Sequence, residues 1–141
     1  MLVSTKGRYA LRVIIDLAER EGEGYLPLRD IAHRLGISEK YLESVLKTLV
    51  RDHLIEGMRG KGGGYRLTRP AADYTAGEVL RATEGSLAPV AGLDDGEAFR
   101  IEEPRCYGMW EKLDALIEDY FDNVKVTDLC VSTLAGNDYV I

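Results

Sequence analysis

The sequence predicts a mainly α fold: a winged helix-turn-helix with a β-hairpin wing, followed by a long C-terminal dimerisation helix. Three observations predict it. Two short amphipathic helical segments meet across the two residues Gly36 and Ile37, a basic glycine-rich stretch follows them at once, and a broad apolar and aromatic stripe recurs at helical spacing near the C-terminus.

Ser4 or Thr5 can cap a first helix, in which Ala10, Ile14, Leu17 and Ala18 share one face and which fails at the glycines of "EGEGY". "YLPL" is short and extended. A second helix places Leu28, Ile31, Ala32 and Leu35 at i, i+3, i+4 and i+7 before Gly36 stops it. Ser38 can cap a third helix, whose Leu42, Val45, Leu46 and Leu49 repeat that spacing. "LIEGM" and "GYRLT" are two extended runs joined by "RGKGG", which predicts a hairpin with Arg59 and Lys61 near its tip. "TAGEVLRATEG" reads as a fourth helix with a Thr75/Glu78 capping box and Gly85 as its stop. Residues 86–103 read as irregular and acidic. A longer helix runs from about Pro104 to Asn123, with Trp110, Leu113, Ile117 and Tyr120 on one face and Met109, Leu116 and Phe121 widening it. A lone small domain cannot cover so wide a stripe, so it predicts the seam of a homodimer, and packing against the first helix of the same chain is compatible with this because such a helix can contact both subunits. The expected organisation is a DNA-binding domain over 1–85, a variable sensor or linker over 86–103, a dimerisation helix with a short cap over 104–130, and a tail over 131–141.

The chain has 141 residues and a net charge of -6, unevenly placed. Residues 1–70 hold 13 Lys and Arg against 9 Asp and Glu, while residues 71–141 hold 5 against 15. The stretch 57–70 carries Arg59, Lys61, Arg66 and Arg69 and no acid, and a local field decides whether a polyanion docks. Lys40, Ser44, Lys47 and Arg51 lie opposite the leucine stripe of the third helix, flanked by Tyr41 and Glu43 near the end that a recognition helix sends into a major groove. Long cations there neutralise phosphate or reach guanine, and Glu43 can accept from a cytosine amino group. A solvated helix face is the bland alternative, but the adjoining basic hairpin points to duplex DNA. A nucleotide-binding P-loop is a poor fit, because the glycines open onto Tyr65-Arg66-Leu67 and not onto a Lys-Ser/Thr helix start.

No nucleophile, histidine and carboxylate constellation suggests an enzyme, and no cofactor or metal is expected. No apolar run approaches the roughly 20 residues of a membrane span, so the expectation is a cytoplasmic protein without a membrane partner. Cys106 and Cys130 are too few and too far apart for a disulfide scaffold, and reduced thiols are expected.

"STKGRYAL", "LRDIAHRLGISEKYLESVLKTLVRDHLI", "RGKGGGYRL" and "TAGEVLRATEG" resemble the Rrf family of bacterial winged-helix regulators, over about Ser4 to Leu129. The resemblance implies a homodimeric transcription factor, usually a repressor, on a palindromic operator. It implies DNA contacts at the positions above and at Ser38, with Thr5, Lys6 and Arg8 on phosphate. Iron-sulfur members carry three cysteines before the dimer helix. Here the positions in register with Trp110 include Pro104 and Tyr107, and Cys106 is out of register. A cluster needs about four soft or imidazole ligands, so none is expected. Residues 84–110 are similar to the cluster-free members concerned with cysteine metabolism, which implies cysteine synthase (O-acetylserine thiol-lyase) as partner. The last four residues, Asp138, Tyr139, Val140 and Ile141, resemble the tails with which serine acetyltransferases plug that enzyme. A terminal carboxylate occupies a site built for an amino acid while Ile141 fills an apolar slot. Two alternatives stay open: a Rrf-type regulator sensing redox, iron-sulfur or nitrosative status through Cys106, and a winged-helix adaptor that binds protein.

Overall fold

The computed structural model describes residues 3–131. Helix α1 (Thr5–Glu19) starts at Ser4, whose Oγ accepts from the Gly7 amide at 3.0 Å. Its inward face, Ala10, Val13, Ile14 and Leu17, forms the centre of the core. Helices α2 (Leu28–Leu35) and α3 (Glu39–Arg51) pack on it with Ile31, Leu42, Val45, Leu46 and Leu49 buried. The turn between them needs a left-handed residue, and Gly36 adopts φ 68° without the steric cost a Cβ brings. Ser38 Oγ then accepts from the Tyr41 amide at 3.1 Å and opens α3.

Strands β1 (Ile55–Met58) and β2 (Gly64–Leu67) form the antiparallel wing, with Ile55 opposite Leu67 and Met58 opposite Gly64. "YLPL" contributes a one-residue bridge: the Leu26 and Tyr65 amides each donate to the other's carbonyl, at 2.9 and 2.8 Å. The base of the wing is held further by Tyr74, which is fully buried. Its hydroxyl donates to the Leu54 carbonyl at 2.6 Å and accepts from the Thr68 amide at 3.0 Å.

Helix α4 (Ala76–Glu84) packs against α1, and the Ser4 amide and hydroxyl donate to Glu84 at 2.8 and 2.7 Å. Only half of the expected capping box forms. Thr75 Oγ accepts from the Glu78 amide at 3.2 Å, but the Glu78 carboxylate pairs with Arg69, a charged donor that outcompetes a backbone amide. The stretch expected to be irregular is also ordered: a single 3-10 turn (Leu93–Asp95) leads into α5 (Glu97–Glu102). Leu87, Leu93 and Phe99 are buried, so three apolar side chains fold an otherwise acidic segment. Helix α6 (Tyr107–Asp122) therefore starts after a turn through Pro104 and Cys106. Its far end is tied to the start of α4: the Ala76 amide donates to the Val124 carbonyl at 2.9 Å and the Val126 amide to that of Tyr74 at 3.0 Å.

Candidate nucleic-acid interface

Helix α3 presents Lys40, Glu43, Ser44 and Lys47 to solvent because its leucine face is spent on the core. Tyr41, half-buried, meets Tyr9 of α1 edge to face, with ring centroids 5.5 Å apart and planes at 81°. The Arg12 guanidinium lies 4.8 Å over the Tyr9 ring and donates to the Leu35 carbonyl at 3.0 Å. The ring contact joins α1 to the start of α3 and the Arg12 bond joins α1 to the end of α2, while at the start of α1 Thr5 and Arg8 are exposed and Lys6 is half-buried. Tyr9 and Arg12 were not singled out from the sequence. Their signal is the i, i+3, i+4, i+7 relation of Thr5, Arg8, Tyr9 and Arg12, a helix face with no fully buried residue, on which Tyr9 alone packs partly against the core.

The remaining expected contacts fall into two groups. Arg59 and Lys61 are exposed at the tip of the wing. Arg51 is partly committed, with Nε on Asp52 at 3.0 Å and Nη2 on the Ala82 carbonyl at 2.9 Å, which moors the end of α3 to α4. Ser38 uses its Oγ as the cap. Arg66, expected on DNA, is set apart from the rest. Side chains alternate along β2, so Tyr65 lines the groove toward α3 while Arg66 lines the opposite cleft with Leu17 and Arg20. There its Nε donates to Glu56 at 2.7 Å and its guanidinium lies 4.2 Å over the Tyr25 ring.

The apolar stripe of α6 divides in two. Met109, Leu113, Leu116 and Tyr120 are exposed, the last two at 59% and 66%, while Trp110, Ile117 and Phe121 are half-buried. Polar groups fix the attachment of α6 to α4: Arg81 forks Asp122 at 2.7 and 2.9 Å and reaches Glu118 at 3.7 Å. The Arg81 guanidinium holds the Asp122 carboxyl below the usual carboxylate range. Among the other groups, Cys106 is exposed, whereas Cys130 is buried with its thiol 3.6 Å from the Val126 carbonyl, and burial pushes that thiol up. Asp138, Tyr139, Val140 and Ile141 lie outside the described residues. The last described residue, Val131, donates its amide to Glu19 at the end of α1.

The Rrf2 family, described as iron-dependent transcriptional regulators, matches residues 3–132. The chain is 36% identical over 133 residues to the HTH-type transcriptional regulator CymR of Bacillus subtilis, covering 94% of this chain and 92% of that one. The chain belongs to the Rrf2 family. It is also 33% identical over 134 residues to the HTH-type transcriptional regulator IscR of Cereibacter sphaeroides, with 92% and 86% of the two chains covered. The solved structure of CymR, the global cysteine regulator of B. subtilis, superposes with a TM-score of 0.76 at 35% identity, over 94% of this chain and 98% of that one. This Rrf2-family protein is therefore a DNA-binding transcriptional regulator with a winged helix, and its relatives are regulators and not enzymes. No helix among the described residues is long and apolar enough to cross a membrane.

The family's iron dependence calls for a donor set that these residues do not supply. Between α4 and α6 there is one thiol, Cys106, and no histidine. Among the described residues no group of three His, Cys, Asp or Glu side chains stands ready to hold a metal ion. A cluster requires about four ligands, so the segment does not fit one.

Proposed function

We propose that this regulator is a cluster-free repressor of genes for cysteine and sulfur supply, bound as a homodimer to a palindromic operator and controlled by cysteine synthase through its tail, residues 138–141. The observation that carries the reading is the segment between α4 and α6. It is closed over Leu87, Leu93 and Phe99 and offers a single thiol, which supports a signal that enters through another part of the chain. The likeness to the cysteine regulator of B. subtilis supports the metabolic assignment. The exposed row Met109, Leu113, Leu116 and Tyr120 supports the dimer, since a second copy of α6 removes it from water and sets two recognition helices on two half-sites.

Under this scheme the enzyme's active site holds Ile141 when cysteine is sufficient, and O-acetylserine, competing for that site, releases it. The enzyme acts on transcription only if it binds the DNA-competent dimer better than the other form. Calorimetry of purified O-acetylserine thiol-lyase with the intact regulator and with a form lacking Ile141 tests the reading. Binding to the intact protein alone is expected, and equal affinity for both overturns the tail as the link.

A further inference from the structure

Two large apolar side chains are left to water beside the recognition helix: Val50 in the last turn of α3, 39% exposed, and Met58 at the end of β1, 45% exposed. Both line one groove of about 440 Å³ between α3 and the wing. Tyr65 forms its wall, and Gly57 leaves part of it without a side chain. Its remaining lining is Lys47 and Arg51 from the helix and Arg59 from the wing, and no acid lines it. Of the neighbouring carboxylates, Glu56 is paired with Arg66 on the other cleft, and Asp52 takes the Nε of Arg51, so the cations the rim offers are chiefly Lys47 and Arg59. The groove is thus an apolar surface with a cationic rim.

We propose that Val50 and Met58 form a shelf for the deoxyribose units of one operator strand, while Lys47 and Arg59 neutralise the phosphates on either side. The proposal rests on the DNA-binding reading and adds to it a contact class that charge alone does not reveal. With α3 in a major groove and the hairpin against the neighbouring minor groove, the strand separating the two grooves must pass over this cleft. That strand alternates anionic phosphates with largely apolar sugar edges, the same alternation that the groove presents. An apolar contact and a phosphate contact leave different signatures in salt: only the second releases counterions.

The test uses the intact protein and a palindromic duplex that the wild type itself selects from a random pool, with affinity measured by anisotropy across a salt series. Met58→Ala and Val50→Ala are each expected to weaken binding about fivefold with an unchanged salt slope. Lys47→Ala is expected to weaken it and to lower the slope by about one. Met58→Leu, which keeps the apolar area, should restore most of the affinity. Thermal melts matching the wild type show that the fold is intact. Alanine variants that bind as tightly as the wild type, or that change the slope, overturn the shelf and leave DNA binding standing. A wild type that selects no duplex overturns both.

Discussion

At the residue scale, the informative positions are charges inside the fold that the hydrophobic pattern does not explain. Asp16 sits on the inward face of α1, where a bare carboxylate is costly, yet Arg34 forks it at 2.9 and 2.8 Å and Arg20 reaches it at 3.1 Å. The trio fastens α2 to α1 through hydrogen bonds that satisfy the charge. Arg81 with Asp122 does the same for α6 and α4, at a wetter site. Because Arg81 lowers the Asp122 pKa, the folded state binds fewer protons there than the unfolded chain does. The stability it contributes is present above the usual carboxylate range and is lost as pH falls below it. Asp122→Asn is expected to cost about 0.5 kcal/mol at pH 7, the small value that suits a pair with 35% and 45% of its side-chain surfaces in water. Thermal melts between pH 7 and 3 should show the variant and wild type converging at the acid end. A gap that stays constant contradicts the assignment.

At the scale of the element, the wing is two strands of four residues, which are marginal by themselves. One anchor is the bridge between Leu26 and Tyr65, which brings the Leu26 carbonyl against the neighbouring Gly64. That glycine has φ 144°, and a Cβ there would lie 2.1 Å from the Leu26 carbonyl oxygen. Gly64→Ala must push Leu26 away and break the two bridging hydrogen bonds. We expect a loss of about 1–2 kcal/mol in urea unfolding, from strain and the lost bonds. Duplex affinity should fall by about tenfold, as Arg59 and Lys61 lose their fixed place. Unfolding and anisotropy on the same preparation check both, and an unchanged affinity would show that the wing's anchoring does not matter for binding.

On the scale of the whole molecule, the chain is a basic reading head joined to an acidic half that carries an apolar face. Leu116, more than half exposed in the protomer, is a position where a charge does not disturb the core. Leu116→Asp is expected to leave the circular dichroism unchanged and to yield a monomer in analytical ultracentrifugation, because each copy would have to bury a carboxylate in the proposed seam. Affinity for a palindromic duplex should drop about a hundredfold or more once the two half-sites are no longer linked. A dimer that persists removes α6 as the interface.

The sequence by itself determined the helix-turn-helix, the wing and the long last helix, since caps at Ser4 and Ser38, the glycine at position 36 and the leucine spacings act within a dozen residues. It also marked the cations of α3 and the hairpin. The tertiary structure decided what depends on choosing among partners that belong to different elements. Glu78 prefers Arg69 to its own helix start, three buried apolar residues order α5, and Arg66 is turned to Glu56 and Tyr25 on the far side of the wing. The α6 stripe is split between an inner and an outer row, and Val50 of a helix and Met58 of a strand come together in one groove. Periodicity assigns a side chain to a face, but which groups meet across that face is settled only when the elements pack, because charge pairing and apolar burial are properties of neighbours and not of spacing.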